Sequence, residues 1–276
     1  RGKHMQIIIL GNGNAGSFIY KYFKNFYNPR YIKVINLTRT DFNATNIDVK
    51  FFKSIINQGD VVINCVGVLK PNIKSVGELN TYKINSIFPH QIYNICNYNA
   101  ANFIHICSDC VYDGKMGNYK ETSPTNAEDI YGISKSLVSK GTIIRTSFIG
   151  SKGGLMKWVL DNKNSNIKGY TNCLWNGITT LELTKQIQKI IMFKSFWNGV
   201  RHMYNPITLS KYDVCSLINK IYNLNIDIEK IIALSIEGTD IVGVLDRSLL
   251  SNYNKFFIPS IEKQLEELYE YESKQS

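Results

Sequence analysis

The chain has 276 residues and a formal net charge of +10, and 44% of its residues are hydrophobic and 20% charged. These proportions are ordinary for a soluble globular protein of one large domain, or of one domain with a smaller lobe. The sequence has no run of 18 or more apolar residues and no secretory signal pattern, which excludes a membrane-spanning helix of the usual length and predicts an unsecreted protein.

The charge and the cysteines narrow the class of protein further. No stretch packs five or six basic residues together, so the charge favours a basic surface that binds phosphate-rich small molecules over one that binds nucleic acid. The six cysteines are scattered through apolar segments, which predicts reduced thiols in the cytoplasm rather than a disulfide framework. Arg1–His4 resembles a cloning remnant, so Met5 is the expected natural start.

Strand-like and helical segments alternate along the first half of the chain. In order they are "MQIIIL", a glycine turn with a helical pattern, "KVINLTR", "DVVINCVGV", the helical "YKINSIFPHQIYNICNYN", "NFIHICSD" and "GTIIRTSFIG". Continuous apolar runs of strand length are typical of buried parallel strands. Their alternation with helices predicts a parallel sheet covered on both faces.

The predicted fold class is therefore α/β, a doubly wound parallel (Rossmann) sheet with a smaller C-terminal substrate lobe. The expected domains are residues 5–150 and 151–276, with the segment around 178–205 returning to the first. "SIEKQLEELYEYE" predicts a closing amphipathic helix. Only nine residues separate Lys135 from Arg145, so either the intervening helix is short or residues are absent there, and the sequence leaves both open.

A glycine turn predicts a phosphate site. "LGNGNAG" places Gly11, Gly13 and Gly16 in G-x-G-x-x-G spacing after an apolar strand and at the start of a helix. Glycines permit a tight turn and let backbone N–H groups approach a pyrophosphate at the helix N-terminus. The predicted contacts are Gly11, Gly13, Asn14, Ala15 and Gly16.

The end of the second strand indicates which dinucleotide is bound. "NLTRTD" offers Thr38 and Arg39, and an arginine at this place suits the 2′-phosphate of NADPH. Asp41 lies two residues further on and keeps NAD(H) as an alternative. NADPH is the favoured cofactor.

"YGISK" predicts a reacting centre. Tyr131 and Lys135 are four residues apart and so lie on one face of a helix, where a lysine is expected to lower the pKa of the tyrosine. Such a tyrosine exchanges a proton with a carbonyl or alcohol oxygen. Ser108 lies at the carboxyl end of a predicted strand, the edge at which ligands bind in open α/β sheets.

These motifs together resemble the extended short-chain dehydrogenases/reductases, and within them the dTDP-4-dehydrorhamnose reductase group. The matching segments are the glycine turn, "INCVGVLKPN", "YKINSIFP", "CSDCVYDG", "YGISK", "IIRTSFIG" and "NGITTLELT". The resemblance implies that Ser108, Tyr131 and Lys135 form a catalytic triad. Here the glycine turn is one residue shorter than is usual in that group, which leaves the exact phosphate contacts open.

The resemblance also suggests residues that contact the cofactor and the substrate. Further cofactor contacts are expected from Cys65, Val66 and Gly67, in addition to Lys135. Substrate contacts are expected from Asn85, Arg145, Thr146, Trp175, Asn176, Thr179 and Arg247. Of these, Arg247 suits a diphosphate because a guanidinium binds phosphate through two hydrogen bonds.

Cys110, two residues after Ser108, resembles the cysteine of nucleotide-sugar epimerase/reductases such as GDP-fucose synthase and plant UDP-rhamnose enzymes. A 4-keto group acidifies the neighbouring C–H bonds, and a thiol can move those protons. In that group a lysine or histidine assists, and Lys168 is the candidate here, with Lys163 as the fallback. Cys107 and Cys110 are three apart in an extended segment and should face opposite ways, so Cys107 is expected in the core and no metal site is predicted.

The favoured function is thus a bifunctional NADPH-dependent 3,5-epimerase/4-reductase of a nucleotide-linked 4-keto-6-deoxyhexose, with UDP-L-rhamnose as the favoured product. The alternatives are a 4-reductase without epimerase activity and a non-catalytic NADP-binding regulatory subunit. The expected partner is a nucleotide-diphosphate sugar, with no nucleic acid and no membrane, and a homodimer is left open.

Overall fold

The structure is a computed structural model that describes residues 4–236 and 239–275. Its helices are α1 (Asn14–Phe26), α2 (Val49–Ile55), α3 (Ile73–Val76), α4 (Glu78–Tyr82), α5 (Phe88–Tyr98), α6 (Ile130–Ser136), α7 (Gly154–Asp161), α8 (Thr180–Met192), α9 (Lys211–Tyr222) and α10 (Ile261–Ser273). The strands of the central sheet are β1 (Met5–Leu10), β2 (Ile32–Leu37), β3 (Val61–Asn64), β4 (Asn102–Ser108), β5 (Thr142–Thr146) and, later in the chain, β10 (Gly199–His202). The remaining strands are β6 (Phe148–Ile149), β7 (Asn166–Tyr170), β8 (Cys173–Trp175), β9 (Ile178–Thr179), β11 (Leu209–Ser210), β12 (Asp227–Ile231), β13 (Ser235–Ile236), β14 (Thr239–Asp240) and β15 (Leu245–Asp246).

The chain forms two compact units. The first contains the residues up to Val111 together with Thr125–Arg145 and Thr184–Arg201, and the second contains Tyr112–Pro124, Thr146–Leu183 and the chain from His202 onward. The assignment of a cofactor role to one part and a substrate role to the other stays a prediction.

The first unit is built on a six-stranded sheet in the order β10-β5-β4-β3-β1-β2. The pairs β1–β2, β1–β3 and β3–β4 are parallel. Strand order reverses between β1 and β3, and open α/β sheets bind ligands at the carboxyl ends of the strands at such a reversal. The residues just after Leu10 and Asn64 are therefore the ones at which this kind of sheet is expected to bind a ligand.

Apolar strands explain the core of this unit. Ile7, Ile8, Ile9 and Leu10 are all fully buried, as expected for a strand covered on both faces. One face packs against α2 and α5 through Phe52 and Phe88. The predicted α/β fold and its parallel sheet are confirmed.

The helix predicted over "YKINSIFPHQIYNICNYN" is interrupted. Between α4 and α5, the segment Lys83–Ile87 is a π-helical turn, in which the Phe88 N–H donates to the carbonyl oxygen of Lys83, five residues back. Pro89 lies in the first turn of α5 and has no N–H to donate to residue 85. The missing donor explains why the regular spacing of four residues is not kept here.

The spacing between Lys135 and Arg145 is explained by a short helix. The helix α6 has seven residues, and β5 begins at Thr142 after a turn in which Gly141 has a φ of 93°. A side chain at Gly141 would also approach a ring carbon of Phe103 to 2.7 Å. Glycine allows both the positive φ and the close approach, so this tight turn needs no further residues.

The described part of the second unit contains small sheets and the helices α7, α9 and α10. Its strands pair as β11-β8-β15, β12-β7, β13-β14 and β6-β9. The closing helix predicted from the sequence is α10, which begins after the N-cap Ser260 and buries Leu265 and Leu268. No helix in the described ranges is long and apolar enough to span a membrane.

Candidate active site

The glycine turn after β1 shapes an open helix N-terminus. Gly11 has a φ of 96°, and its N–H donates to the Leu37 carbonyl oxygen over 2.8 Å. A side chain on Gly16 would come within 2.3 Å of the Gly11 carbonyl oxygen, whereas one on Gly13 would meet nothing within 4 Å. The turn therefore packs tightly against α1 at Gly16 and leaves open space at Gly13.

Asn14 and Ala15 form the first turn of α1. Asn14 is half-buried and Ala15 is buried, so Ala15 could contact a ligand through its backbone but hardly through its side chain. The Gly13 carbonyl already accepts the Ser17 N–H over 3.0 Å. The N–H groups at the start of a helix have no partner inside it, and they are the groups that bind a pyrophosphate.

The end of β2 places an arginine next to a carboxylate that is already engaged. Asp41 accepts a hydrogen bond from the Thr38 N–H over 2.7 Å and one from the Thr38 hydroxyl over 3.3 Å. Arg39 lies between these two residues and is exposed. Because Asp41 closes its own turn, the exposed guanidinium is the better placed of the two to meet a ligand, which fits a 2′-phosphate better than a ribose hydroxyl.

The segment after β3 lies beside the glycine turn. The Cys65 N–H donates to the Leu10 carbonyl over 2.9 Å, and a side chain on Gly11 would lie 3.3 Å from the Cys65 backbone. Gly67 is exposed, and a side chain there would come within 3.7 Å of Lys135 Nζ. Val66 is half-buried and held by Asn64 Oδ1 over 3.0 Å. The predicted cofactor residues of β1 and β3 are thus brought together.

Ser108, Tyr131 and Lys135 also lie close together in the first unit. Ser108 ends β4, and its side chain is close enough to Tyr131 to lower the pKa of the phenol. Tyr131 and Lys135 lie on α6, which Asp129 caps by accepting the Gly132 N–H over 2.6 Å. A side chain on Gly132 would lie 2.3 Å from the Cys110 carbonyl oxygen, so glycine permits the close approach of helix and strand.

The electrostatics of the pair differ from the prediction. The pKa of Tyr131 is raised, first by burial and then by the Cys110 thiol, while Ser108 lowers it. Lys135 is buried and donates to the Ile106 carbonyl over 3.1 Å, and burial lowers its pKa. The pKa of Tyr131 is therefore raised and not lowered as expected, because burial outweighs the neighbouring charges.

The two cysteines of "CSDC" face different surroundings. Cys107 is 3% exposed, as predicted for a core residue, and its thiol lies 3.5 Å from the Lys135 carbonyl oxygen. Cys110 is half-buried, and its N–H donates to Ser108 Oγ over 3.1 Å. The Cys110 thiol is near enough to Tyr131 to influence its pKa. No cluster of three or more His, Cys, Asp or Glu side chains in the described part of the chain could hold a metal ion.

Asn85 is held inside the first unit by its own hydrogen bonds. It has no exposed surface, and its Oδ1 accepts the Val68 N–H over 2.7 Å. Its Nδ2 donates to the Val68 carbonyl over 3.2 Å and to Ser134 Oγ over 3.0 Å. Asn85 therefore ties the loop after β3 to α6, and its contact with substrate stays a prediction.

Several predicted substrate residues are buried inside the protein. Arg145 is 3% exposed within β5, Thr146 is 1% exposed, and Thr179 is fully buried. The Thr179 hydroxyl accepts the Glu182 N–H over 3.2 Å and so caps α8. Asn176 is buried and exchanges hydrogen bonds with the Leu249 backbone, both of 2.9 Å. These four side chains are enclosed by the protein, and their contact with a substrate stays a prediction.

Three predicted residues of the second unit keep some exposed surface. Trp175 is half-buried, and its indole N–H donates to Ser147 Oγ over 2.7 Å. Arg247 is half-buried, and its Nε donates to the Tyr112 carbonyl over 3.0 Å. Lys168 is exposed on β7, in register with Glu229 on β12. Cys110 belongs to the first unit and Lys168 to the second, so their partnership stays a prediction.

Sequence reasoning missed three polar residues near the site, Lys70, His105 and Asp129. Lys70 lies 3.3 Å from Asp129 Oδ2. The fully buried His105 has its Nδ1 3.1 Å from Asn64 Nδ2. Asp129, the N-cap of α6, could have been predicted from the sequence, because an aspartate directly before a helix is a preferred N-cap residue. The partners of Lys70 and His105 are distant in sequence and left no local signal.

Comparison with known proteins then identifies the family. The family described as the RmlD substrate binding domain matches residues 5–166, which is more than half of the chain. The chain belongs to this family. This member of the RmlD substrate binding domain family is 26% identical over 133 aligned residues to the dTDP-4-dehydrorhamnose reductase of Mycobacterium tuberculosis, with 44% of this chain and 43% of that protein covered. It is also 26% identical over 171 residues to the spore coat polysaccharide biosynthesis protein SpsK of Bacillus subtilis, with 58% of this chain and 60% of SpsK covered. The chain thus matches less than two thirds of the length of either relative.

Solved structures show the same fold at low identity. A dTDP-4-dehydrorhamnose reductase from Clostridium acetobutylicum is similar with a TM-score of 0.80 and 22% identity, covering 98% of this chain and 100% of that one. The corresponding enzyme of Bacillus anthracis, solved in complex with NADP, has a TM-score of 0.79 and 19% identity, covering 97% and 99%. A GDP-6-OMe-4-keto-L-xylo-heptose reductase of Campylobacter jejuni has a TM-score of 0.74 and 13% identity, covering 100% and 99%.

Proposed function

We propose that this protein is an NADPH-dependent reductase of a nucleotide-linked 4-keto sugar. The observation that carries the proposal is the approach of Ser108, at the carboxyl end of β4, to Tyr131 on α6, with Lys135 one helical turn further along that helix. Membership of the RmlD substrate binding domain family and the reductase names of its relatives support the same chemistry. These comparisons favour reduction alone over the bifunctional epimerase/reductase predicted from the sequence.

The residues at the sheet edge fit a dinucleotide. The first turn of α1 would hold the pyrophosphate, because Gly13 leaves the helix N-terminus open and Gly16 lets the strand approach the helix. Arg39 would bind the 2′-phosphate, and Gly67 leaves space beside Lys135. NADPH, when bound, supplies the hydride for reduction of the ketone.

The chain itself supplies the proton and the positioning. Tyr131 donates its hydroxyl proton to the carbonyl oxygen of the sugar, and Ser108 donates a hydrogen bond to the same oxygen and stabilises the charge that develops on it. Because burial raises the pKa of Tyr131, this group is protonated at neutral pH and is ready to act as the acid. After the proton has left, the positive charge of Lys135 stabilises the Tyr131 phenolate.

The test is a substrate panel. Purified protein is offered the 4-keto-6-deoxyglucose derivatives of UDP, dTDP and GDP with NADPH, and consumption of NADPH is followed with NMR identification of the products. The expected result is NADPH-dependent reduction at C4 of at least one sugar, and Tyr131→Phe should lower kcat by about 100-fold or more. A wild-type protein that binds NADPH yet reduces none of them would contradict the proposal and favour the non-catalytic regulatory subunit.

A 3,5-epimerase activity at the same site is the second candidate, and Cys110 is the observation that favours it. Cys110 is half-buried, and its thiol is close enough to Tyr131, the predicted proton donor, to raise the pKa of the phenol. The test is reduction in deuterated water: epimerisation would place deuterium at C3 or C5, and Cys110→Ala would stop it. Products free of deuterium at both carbons would leave a reductase alone. UDP-L-rhamnose is the product that this second candidate predicts.

A further inference from the structure

Lys70 reaches the catalytic helix from the loop after β3. Its Nζ lies 3.3 Å from Asp129 Oδ2, and the two side chains are 22% and 44% exposed. The same ammonium lies over the ring of Tyr131, 5.9 Å from the ring centroid, which is within the range of a cation–π contact. One lysine thus contacts both the N-cap of α6 and the aromatic ring that carries the reacting hydroxyl.

Both ends of this contact are held in place. Lys70 begins a short 3-10 turn, and two residues earlier the Val68 backbone is fixed by the buried Asn85. Asp129 uses its other oxygen, Oδ1, to accept the Gly132 N–H over 2.6 Å. Because the carboxylate is fixed by the helix and the lysine starts from a fixed loop, the pair is better ordered than an ordinary surface ion pair.

The other ionisable groups around Tyr131 disfavour its phenolate, so a nearby cation would stabilise it. Cys110, Cys107 and Asp109 all act to raise its pKa, and the Lys135 ammonium is bound to the Ile106 carbonyl. The groups that face Tyr131 are therefore Ser108, Cys107, Asp109 and Cys110 from the end of β4, Asp129 from its own helix and Lys70 from the loop after β3. Lys70 is the cation placed over the ring face.

We propose that Lys70 is a positioning residue, which holds Tyr131 in its reacting place by binding Asp129 and by covering the face of the tyrosine ring. Its positive charge also favours the phenolate that remains after the proton has left. For its kinetic test this inference rests on the proposed function.

The kinetic test compares Lys70→Met with Lys70→Arg and with Lys74→Met, an exposed lysine on the neighbouring α3. Lys70→Met should lower kcat several-fold and leave the KM for NADPH unchanged, because the tyrosine is held less well and its phenolate loses a stabilising charge. Lys70→Arg should restore kcat, and Lys74→Met should match the wild type. A kcat that does not fall in Lys70→Met, or one that Arg does not restore, would overturn the proposal.

A second measurement needs no turnover and separates this proposal from the proposed function. Asp129→Asn keeps the cap acceptor but loses the ion pair. In thermal unfolding, Lys70→Met and Asp129→Asn should each lower Tm, and the double variant should fall no further than the worse single variant. Additive losses would overturn the pairing. A wild-type protein inactive on every sugar, with non-additive losses in this cycle, would contradict the proposed function and support the pairing of Lys70 with Asp129.

Discussion

The Lys135 ammonium donates a hydrogen bond to the carbonyl oxygen of Ile106 over 3.1 Å, in a position where the lysine is only 6% exposed. Burial lowers its pKa, so the fold works against the charge that the chemistry needs. Holding this charge in the interior therefore costs stability, and a substitution can test whether Lys135 has the role proposed for it in the reaction.

Lys135→Met should separate activity from stability. Replacing a buried charge by an apolar side chain of similar length is often neutral or stabilising, so Tm should stay or rise. Loss of the ammonium should lower kcat by about 100-fold or more, since the phenolate of Tyr131 loses its support. Steady-state kinetics and thermal unfolding of one preparation check both. A variant that loses Tm and kcat in proportion would show that Lys135 serves the fold instead.

Arg39 should decide between the two nicotinamide cofactors. Arg39→Ser removes the exposed guanidinium, so the KM for NADPH should rise about 10-fold or more while that for NADH changes little. Arg30→Ser, an exposed arginine at the other end of β2, is the control and should leave both constants unchanged. Equal losses for the two cofactors would argue against a contact between Arg39 and the 2′-phosphate.

Gly16→Ala should destabilise the first unit. The added methyl group would lie 2.3 Å from the Gly11 carbonyl oxygen, a backbone atom that cannot rotate away. Overpacking of this kind costs about 1–3 kcal/mol in the free energy of unfolding. Gly13→Ala is the matched control, because its methyl group meets nothing within 4 Å. Denaturant unfolding of both variants measures the difference, and equal stabilities would contradict the tight approach of turn and helix.

His105 should make the protein lose stability in mild acid. Burial is the main cause that lowers its pKa well below 6.5, with Lys135 adding to the effect. Above about pH 6.5 the histidine is neutral in both states and contributes nothing. As the pH falls below that value, the unfolded chain takes up a proton that the folded chain refuses, so stability is lost at up to about 1.4 kcal/mol per pH unit until the lowered pKa is reached.

His105→Gln tests this by removing the titrating group while keeping an amide to face Asn64. Between pH 6.5 and 5 the variant should lose less of its free energy of unfolding than the wild type does. Parallel curves for His105→Gln and the wild type would show that another group causes the loss.

Local pattern and spacing were enough to predict most of the first unit. The strands β1 to β4 appear as apolar runs, and the approach of Ser108 to Tyr131 follows from a residue at a strand end and one on the next helix. The raised pKa of Tyr131 could not be predicted, because its main cause is burial, which depends on distant parts of the chain. For the same reason sequence position did not reveal that Asn85 and Thr179 are fully buried.

The π-helical turn at Lys83–Ile87 limits how far this region can change in length. A regular helix repeats every 3.6 residues, and the wider turn rotates α5 about the helix axis relative to α4. Asn85 reaches both Val68 and Ser134 from inside this irregular turn. Removing one residue would return the segment to regular winding and swing the amide away from one of its two partners, so this stretch should tolerate exchanges of side chain far better than insertions or deletions.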